Sequence, residues 1–182
     1  MITVYSSVKS SRLEYVLHFI FKNLLEIEFK WTQDSSNLEG VILNYSDKIL
    51  PLHPRTSKMM EQLLDSKLLK KIQESNLLTI INPAGFLDMI ALEKNAELII
   101  TDSGGVQKEA YFFKKPCIIL RPQTEWVEII ETKSAVISDT NSKIILEATE
   151  RFLSNPDLEF PEVFGNGNAA SFIAKEMLNQ FS

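Results

Sequence analysis

One cysteine, two histidines and six glycines are all that the 182 residues contain of these types, and each scarcity excludes something. A lone Cys117 cannot close an internal disulfide, and in the run Cys117-Ile118-Ile119-Leu120 a thiol serves as a small core group. A reducing cytoplasm suits such a chain. The histidines, His18 and His53, support neither a Ser-His-Asp arrangement nor a metal-ligand spacing, so no metal and no cofactor is expected. His18 lies among apolar residues and reads as a core or edge histidine. Positive charge is also short: 19 Lys and Arg against 24 Asp and Glu leave a net charge of −5. A nucleic-acid partner normally needs a basic footprint, and none is present. No apolar run approaches the roughly 18 residues of a membrane span. The first apolar stretch, Val16–Phe21, is short and follows Arg12 and Glu14, unlike a signal peptide. A cytoplasmic protein is expected.

What remains is ordinary for a soluble globular domain, with 45% apolar and 24% charged residues. From about residue 49 strands and helices alternate. Strands are expected at Lys48–Leu52, Leu77–Ile81, Glu97–Thr101, Cys117–Arg121 and Ala135–Ser138. Helices are expected at Ser57–Glu74, Gly85–Lys94, Val106–Phe113, Trp126–Glu131, Lys143–Leu153 and Ala169–Asn179, with Asp139-Thr140-Asn141 offering caps to the fifth. Strands joined by single helices imply parallel crossovers, hence an α/β fold with a mainly parallel sheet. Upstream, Ile2–Tyr5 suggests a strand, Ser10–Leu25 an amphipathic helix, and Glu26–Trp31 and Val41–Asn44 further strands.

The most informative segment is Thr101-Asp102-Ser103-Gly104-Gly105-Val106-Gln107-Lys108-Glu109, which follows Leu98-Ile99-Ile100. A buried strand, a glycine turn and a helix start leave unpaired N–H groups at the positive end of the helix dipole. The small residues let an anion approach that backbone, which suits phosphate. Glu109 follows about one turn later, where its carboxylate could accept from vicinal sugar hydroxyls. Diphosphate on the amides and ribose on the carboxylate would describe a nucleotide-sugar site. The same residues also fit a helix merely capped by Asp102 or Ser103.

The wider pattern TDSGGVQKEA…KKPCIILRPQTEWVE resembles the non-hydrolysing UDP-N-acetylglucosamine 2-epimerases and their relatives acting on diacetamido-sugar uronates. His53-Pro54-Arg55-Thr56, Asn82-Pro83-Ala84-Gly85-Phe86-Leu87 and Phe164-Gly165-Asn166-Gly167-Asn168-Ala169-Ala170 extend the likeness over residues 49–182. It implies a Rossmann-like domain corresponding to the C-terminal half of a two-domain, GT-B-like epimerase. It implies that Ser103, Gly104 and Gly105 bind the diphosphate of UDP and that Glu109 binds ribose. The Pro83–Phe86 loop would lie against uracil and Arg121 near the sugar-phosphate side, with His53 and Arg55 as further groups for the anion. Where the family often has arginine after Thr-Glu, this chain has Trp126, and Trp-Val there resembles the diacetamido-sugar subgroup. Glu125 is left between anchoring its loop and facing the sugar. Met59, Met60, Phe112 and Phe113 read as packing, and Glu128 and Glu131 as solvated charges.

The family reaction removes the C2 proton, eliminates UDP and re-adds it to the glycal, with most acid/base carboxylates in an N-terminal domain. Residues 1–48 show neither that domain nor the family's His-Arg-x-Glu-Asn segment, and read as a leader of uncertain origin packed on a domain at 49–182. Its opening, VYSSVKSSRLEYVLHFIF, bears a faint likeness to some bacterial polysaccharide-deacetylase-like proteins. The expectation is a truncated epimerase relative that binds UDP or a UDP-sugar and is inactive alone. A homodimer or a separate N-terminal-domain polypeptide would complete it. The alternatives are half of a UDP-sugar-dependent glycosyltransferase and a non-catalytic nucleotide-binding module.

Overall fold

Leu98, Ile99 and Ile100 are all buried, and so are Cys117, Ile118, Ile119 and Leu120. Successive strand residues point to opposite faces, so runs like these require cover on both sides of a sheet. A computed structural model describes residues 2–5, 48–52, 54–64, 66–74, 78–155 and 157–181. The strands are β1 (Ile2–Tyr5), β2 (Lys48–Pro51), β3 (Leu78–Ile81), β4 (Leu98–Thr101), β5 (Cys117–Ile119) and β6 (Ala135–Ile137). The helices are α1 (Pro54–Leu63), α2 (Ser66–Gln73), α3 (Phe86–Asn95), α4 (Gly104–Phe112), α5 (Val127–Glu131), α6 (Ser142–Ser154) and α7 (Ala169–Phe181). The elements expected at Ser10–Leu25, Glu26–Trp31 and Val41–Asn44 lie outside the described residues, as does His18.

All six strands join one sheet in the order β3-β2-β1-β4-β5-β6, and every neighbouring pair is parallel. The α/β fold with a parallel sheet is therefore as the alternation implied. Residues 2–5 form a central strand, with Ile2 level with Lys48 on one side and Leu98 on the other. The strand order reverses between β1 and β4. In open parallel sheets that reversal leaves a crevice at the carboxyl ends of the two strands, where ligands bind.

Alternation along β4 and β5 sorts the core into two layers. Leu98, Ile100, Ile118 and Leu120 pack with Leu50, Leu52, Met60, Leu64 and Ile72, and with Ile145, Ala148 and Phe152 of α6. Ile99, Cys117 and Ile119 pack on the other face with Val106, Ala110 and Tyr111 of α4, Ile129 of α5 and Ala135. Cys117 is a buried free thiol.

Local chemistry explains where the boundaries differ from expectation. Helical sequence from Ser57 to Glu74 is two helices, and the first starts earlier, because Pro54 fits a first helical position whose N–H needs no partner. Asn141 caps α6 as expected: its Oδ1 accepts from the Lys143 and Ile144 amides at 3.1 and 3.3 Å. Phe112 is no core residue, being 58% exposed and edge-on to Phe164 with ring centres 5.8 Å apart. Glu128 is not simply solvated either, since its Oε2 is buried without a hydrogen-bond partner among the described residues. Gly165 and Gly167 take φ of +80° and +81°, a left-handed turn that leads the chain into α7. No helix among the described residues is long and apolar enough to cross a membrane.

Candidate functional site

β4 ends at Thr101, and its hydroxyl accepts the Ser103 amide at 3.0 Å, which tightens the turn into α4. Ser103 stands at the N-cap with extended backbone (φ −84°, ψ 122°), and its side chain makes no capping bond. The plain capping explanation of Ser103 thus fails. Gln107 N–H bonds to Ser103 O at 3.1 Å, closing the first turn over Gly104, Gly105 and Val106. The amides of a first turn have no carbonyl partner within their helix. They lie beside the β1/β4 reversal.

The loop after β5 folds back over this helix start. Trp126 Nε1 donates to Gly104 O at 2.7 Å, and Thr124 Oγ1 donates to the buried Gln107 Oε1 at 2.6 Å. Trp126 N–H in turn donates to Thr124 Oγ1 at 3.1 Å. The Trp126 ring also covers the Lys108 ammonium, 4.2 Å from its centre, and Phe164 covers it at 4.7 Å. Such contacts are worth about 0.5–1 kcal/mol each when exposed and more when dry.

Arg121 Nη1 reaches Glu125 Oε2 at 3.1 Å, and the carboxylate rests against Gly104. A β-carbon at Gly104 would collide with Glu125 Oε1, whereas one at Gly105 would meet only Ser103 Oγ, at 3.9 Å. Neither glycine has a positive φ. Gly104 is therefore small because something lies close against it, not because the turn is unusual. Both partners of the Arg121–Glu125 pair are partly solvent-exposed, so it adds about 0–1 kcal/mol. Its importance is place: a carboxylate lies at a positive helix end, and a guanidinium stands beside it. Of the two roles left open for Glu125, the geometry is that of an anchor.

Glu109 faces α3 from the second turn of α4 and is half-buried. Against it lies Glu93, 1% exposed, with no hydrogen-bond donor to either oxygen among the described residues. Burial, and after it the neighbouring Glu109, push the Glu93 carboxyl up to about 8. Sequence reading missed Glu93, because Leu92-Glu93-Lys94 looks like the charged end of a surface helix. Burial and then Glu93 push the Cys117 thiol upward too.

Of the sequence-derived residues, Ser103, Gly104, Gly105 and Arg121 come together. Glu109 lies further along the same helix. Phe86 opens α3 after β3, 71% exposed, on the same carboxyl edge of the sheet but nearer its β3 side. A groove of about 600 Å³ lies beside it, lined by Ile81, Asn82, Pro83, Ala84 and Asp88 among others. Arg55 is the second residue of α1, with its side chain outside the described residues; His53 lies wholly outside them. Among the described residues no group of three or more His, Cys, Asp or Glu could hold a metal ion.

A strand order that reverses beside a Ser-Gly-Gly helix start is an arrangement in which parallel α/β sheets commonly receive phosphate groups. The sequence profile of the family described as UDP-N-acetylglucosamine 2-epimerase matches residues 32–178, and the chain belongs to that family. The match begins upstream of residue 49, before the first of the shared motifs. A UDP-N-acetylglucosamine 2-epimerase homolog of Methanococcus maripaludis is 42% identical over 153 residues, which is 81% of this chain and 42% of that protein. The UDP-2,3-diacetamido-2,3-dideoxy-D-glucuronate 2-epimerase of Pseudomonas aeruginosa is 38% identical over 138 residues, 76% of this chain and 36% of its own length. The solved UDP-GlcNAc 2-epimerase of Methanocaldococcus jannaschii superposes with a TM-score of 0.76 at 30% identity, covering 98% of this chain and 45% of its own. A second structure of it, in complex with UDP-GlcNAc and UDP, gives 0.70. The chain thus spans less than half the length of these relatives.

Proposed function

We propose that these 182 residues bind the UDP portion of a UDP-sugar and do not by themselves invert its C2. The observation that carries the reading is the Ser103–Gly105 helix start with Arg121 held over it. First-turn amides and a guanidinium are what a diphosphate requires. Glu109 would take the ribose hydroxyls, and Phe86 with the Pro83–Gly85 loop would lie along uracil. His53 and Arg55 are kept as further groups for the phosphates. Diphosphate would enter where the Glu125 carboxylate lies, taking over its place beside Arg121.

In the family's reaction the C2–H bond breaks and the C1–O bond breaks with its electron pair leaving on UDP; the C1–O bond is then remade with its configuration kept, and the C2–H bond is remade on the opposite face. The helix dipole and Arg121 would stabilise the departing diphosphate. Removing and returning the C2 proton needs positioned acid/base groups, worth about 10²–10⁴-fold each. Those groups are to come from protein beyond these residues, in the same chain or another. Trp126-Val127 supports a diacetamido-sugar uronate as the sugar, in keeping with the Pseudomonas aeruginosa relative.

Thermal-shift titration tests the reading. At 100 times its Kd a ligand adds about 2.7 kcal/mol. UDP should raise the melting point more than UMP does, and solvent deuterium should not enter C2 of an added UDP-sugar. An unchanged melting point at millimolar UDP would sink the binding claim. Deuterium at C2 with the purified chain alone would sink the other.

A further inference from the structure

Two carboxyl groups that offer each other only oxygen atoms cannot both be ionised in a dry contact, because neither then has a donor. Glu93 and Glu109 are such a pair. Glu93 comes from the end of α3, is 1% exposed, and has no hydrogen-bond donor on either oxygen among the described residues. Glu109 comes from the neighbouring α4 and keeps partial access to solvent. A buried, unpaired carboxylate costs far more than a buried acid, so the proton belongs on Glu93. The acceptor facing that proton is the Glu109 carboxylate.

We propose that Glu93 is a positioning residue: as a neutral acid it donates to Glu109 and holds that carboxylate in the orientation a ribose diol requires. The proposal rests on the assignment of Glu109 to ribose made above. A carboxylate has room for several donors, so one oxygen lone pair given to Glu93 leaves the others for the two hydroxyls. The groups facing Glu93 are Glu109 from α4 and the Cys117 thiol from β5. Once Glu93 ionises, Glu109 is repelled rather than bonded.

The consequence is a ribose preference that depends on pH. Below about pH 8 the Glu93 proton is in place, and above it the pair separates. The ratio of Kd for 2′-deoxy-UDP to Kd for UDP isolates this effect, because diphosphate and uracil titrate alike in both ligands. For the full chain it should fall by about tenfold between pH 6.5 and 9, the worth of one hydrogen bond to a charged group. Glu93→Gln keeps a donor that does not titrate, so its ratio should stay high and flat. Glu93→Leu should have a low ratio at every pH while UDP still binds.

A high ratio that Glu93→Leu leaves untouched, or a wild-type ratio flat across this range, would overturn the proposal alone. Failure of UDP to bind at any pH, or a ratio that Glu109→Ala does not reduce, would overturn the ribose assignment and this proposal with it. Should both Glu93 variants fail to fold, the wild-type profile and the ¹³C titration of its glutamate carboxyls decide. A buried carboxyl titrating near pH 8, and displaced by Glu109→Gln, is the expected result; its absence overturns the pairing.

Discussion

Trp126 donates its indole N–H to the carbonyl of Gly104, at 2.7 Å. That bond joins the loop after β5 to the first turn of α4, the two sides of the proposed anion site. Thr124 and Gln107 repeat the link deeper in. The shape of that proposed site therefore depends on a residue outside the Ser103–Gly105 turn.

Trp126→Phe keeps an aromatic face over Lys108 and deletes the indole donor. The expected loss is about 0.5–1.5 kcal/mol of stability, read from urea unfolding. UDP affinity should fall further than UMP affinity, because the diphosphate is proposed to span the joint. Equal melting points for the two proteins would show that the bond does not hold the loop.

The two glycines should respond differently. A methyl at position 105 has room, so Gly105→Ala should leave stability unchanged or raise it by about 0.5–1 kcal/mol. A diphosphate bound to these amides would nonetheless have to accommodate that methyl, and UDP binding should weaken. A methyl at position 104 collides with the Glu125 carboxylate, the flexible end of a side chain, and should swing it away from Arg121. Calorimetric titration and unfolding of both variants would check this. Loss of stability in Gly105→Ala would contradict the open space beside it.

Glu93 makes stability depend on pH in a fixed direction. Its carboxyl moves from an ordinary 4.5 to about 8 in the folded protein. Between those values the folded chain holds a proton that the unfolded chain has released, so stability falls as pH rises across that window. Below 4.5 both states are protonated and the contribution is whole. The full loss is on the order of a few kcal/mol, since each tenfold change in proton affinity is worth about 1.4 kcal/mol. Glu93→Leu should flatten this fall and unfold at higher urea than wild type at about pH 8.5, past the folded-state value. Parallel curves for the two proteins across the same window would rule it out.

Asn141→Ala should cost about 1 kcal/mol, since its side chain satisfies two amides at the start of α6. Ligand affinity should be unaffected by this change, which makes it a control for loss of stability alone. A change in UDP affinity would link α6 to the site.

Much of the fold is legible locally. Ile99, Ile118 and their neighbours announce buried strands, and Asp139-Thr140-Asn141 announces a cap, because each signal lies within a few residues. The turn from Thr101 to Gly105 is legible for the same reason. The inner face of α3 is not. Phe86, Leu87, Met89, Ile90, Ala91 and Leu92 are apolar almost all round, so no stripe marks it; Phe86 and Leu87 are exposed while Glu93 is buried. Which face turns inward is decided by packing on α4. The contact of Glu125 with Gly104 joins positions twenty-one apart, and no spacing rule reaches across such a loop.

Residues 2–5 are readable as a strand but not as a central one, because a strand's neighbours are chosen by the whole sheet. β1 is the seam between β3-β2 and β4-β5-β6, and its four residues pair with Leu98–Thr101 from nearly the far end of the first hundred residues. Contacts so distant in sequence form slowly. Until β1 is inserted, β2 and β4 each present a bare row of amides and carbonyls, open to strands of other molecules. Whatever delays that short N-terminal segment should turn a folding chain into an aggregating one.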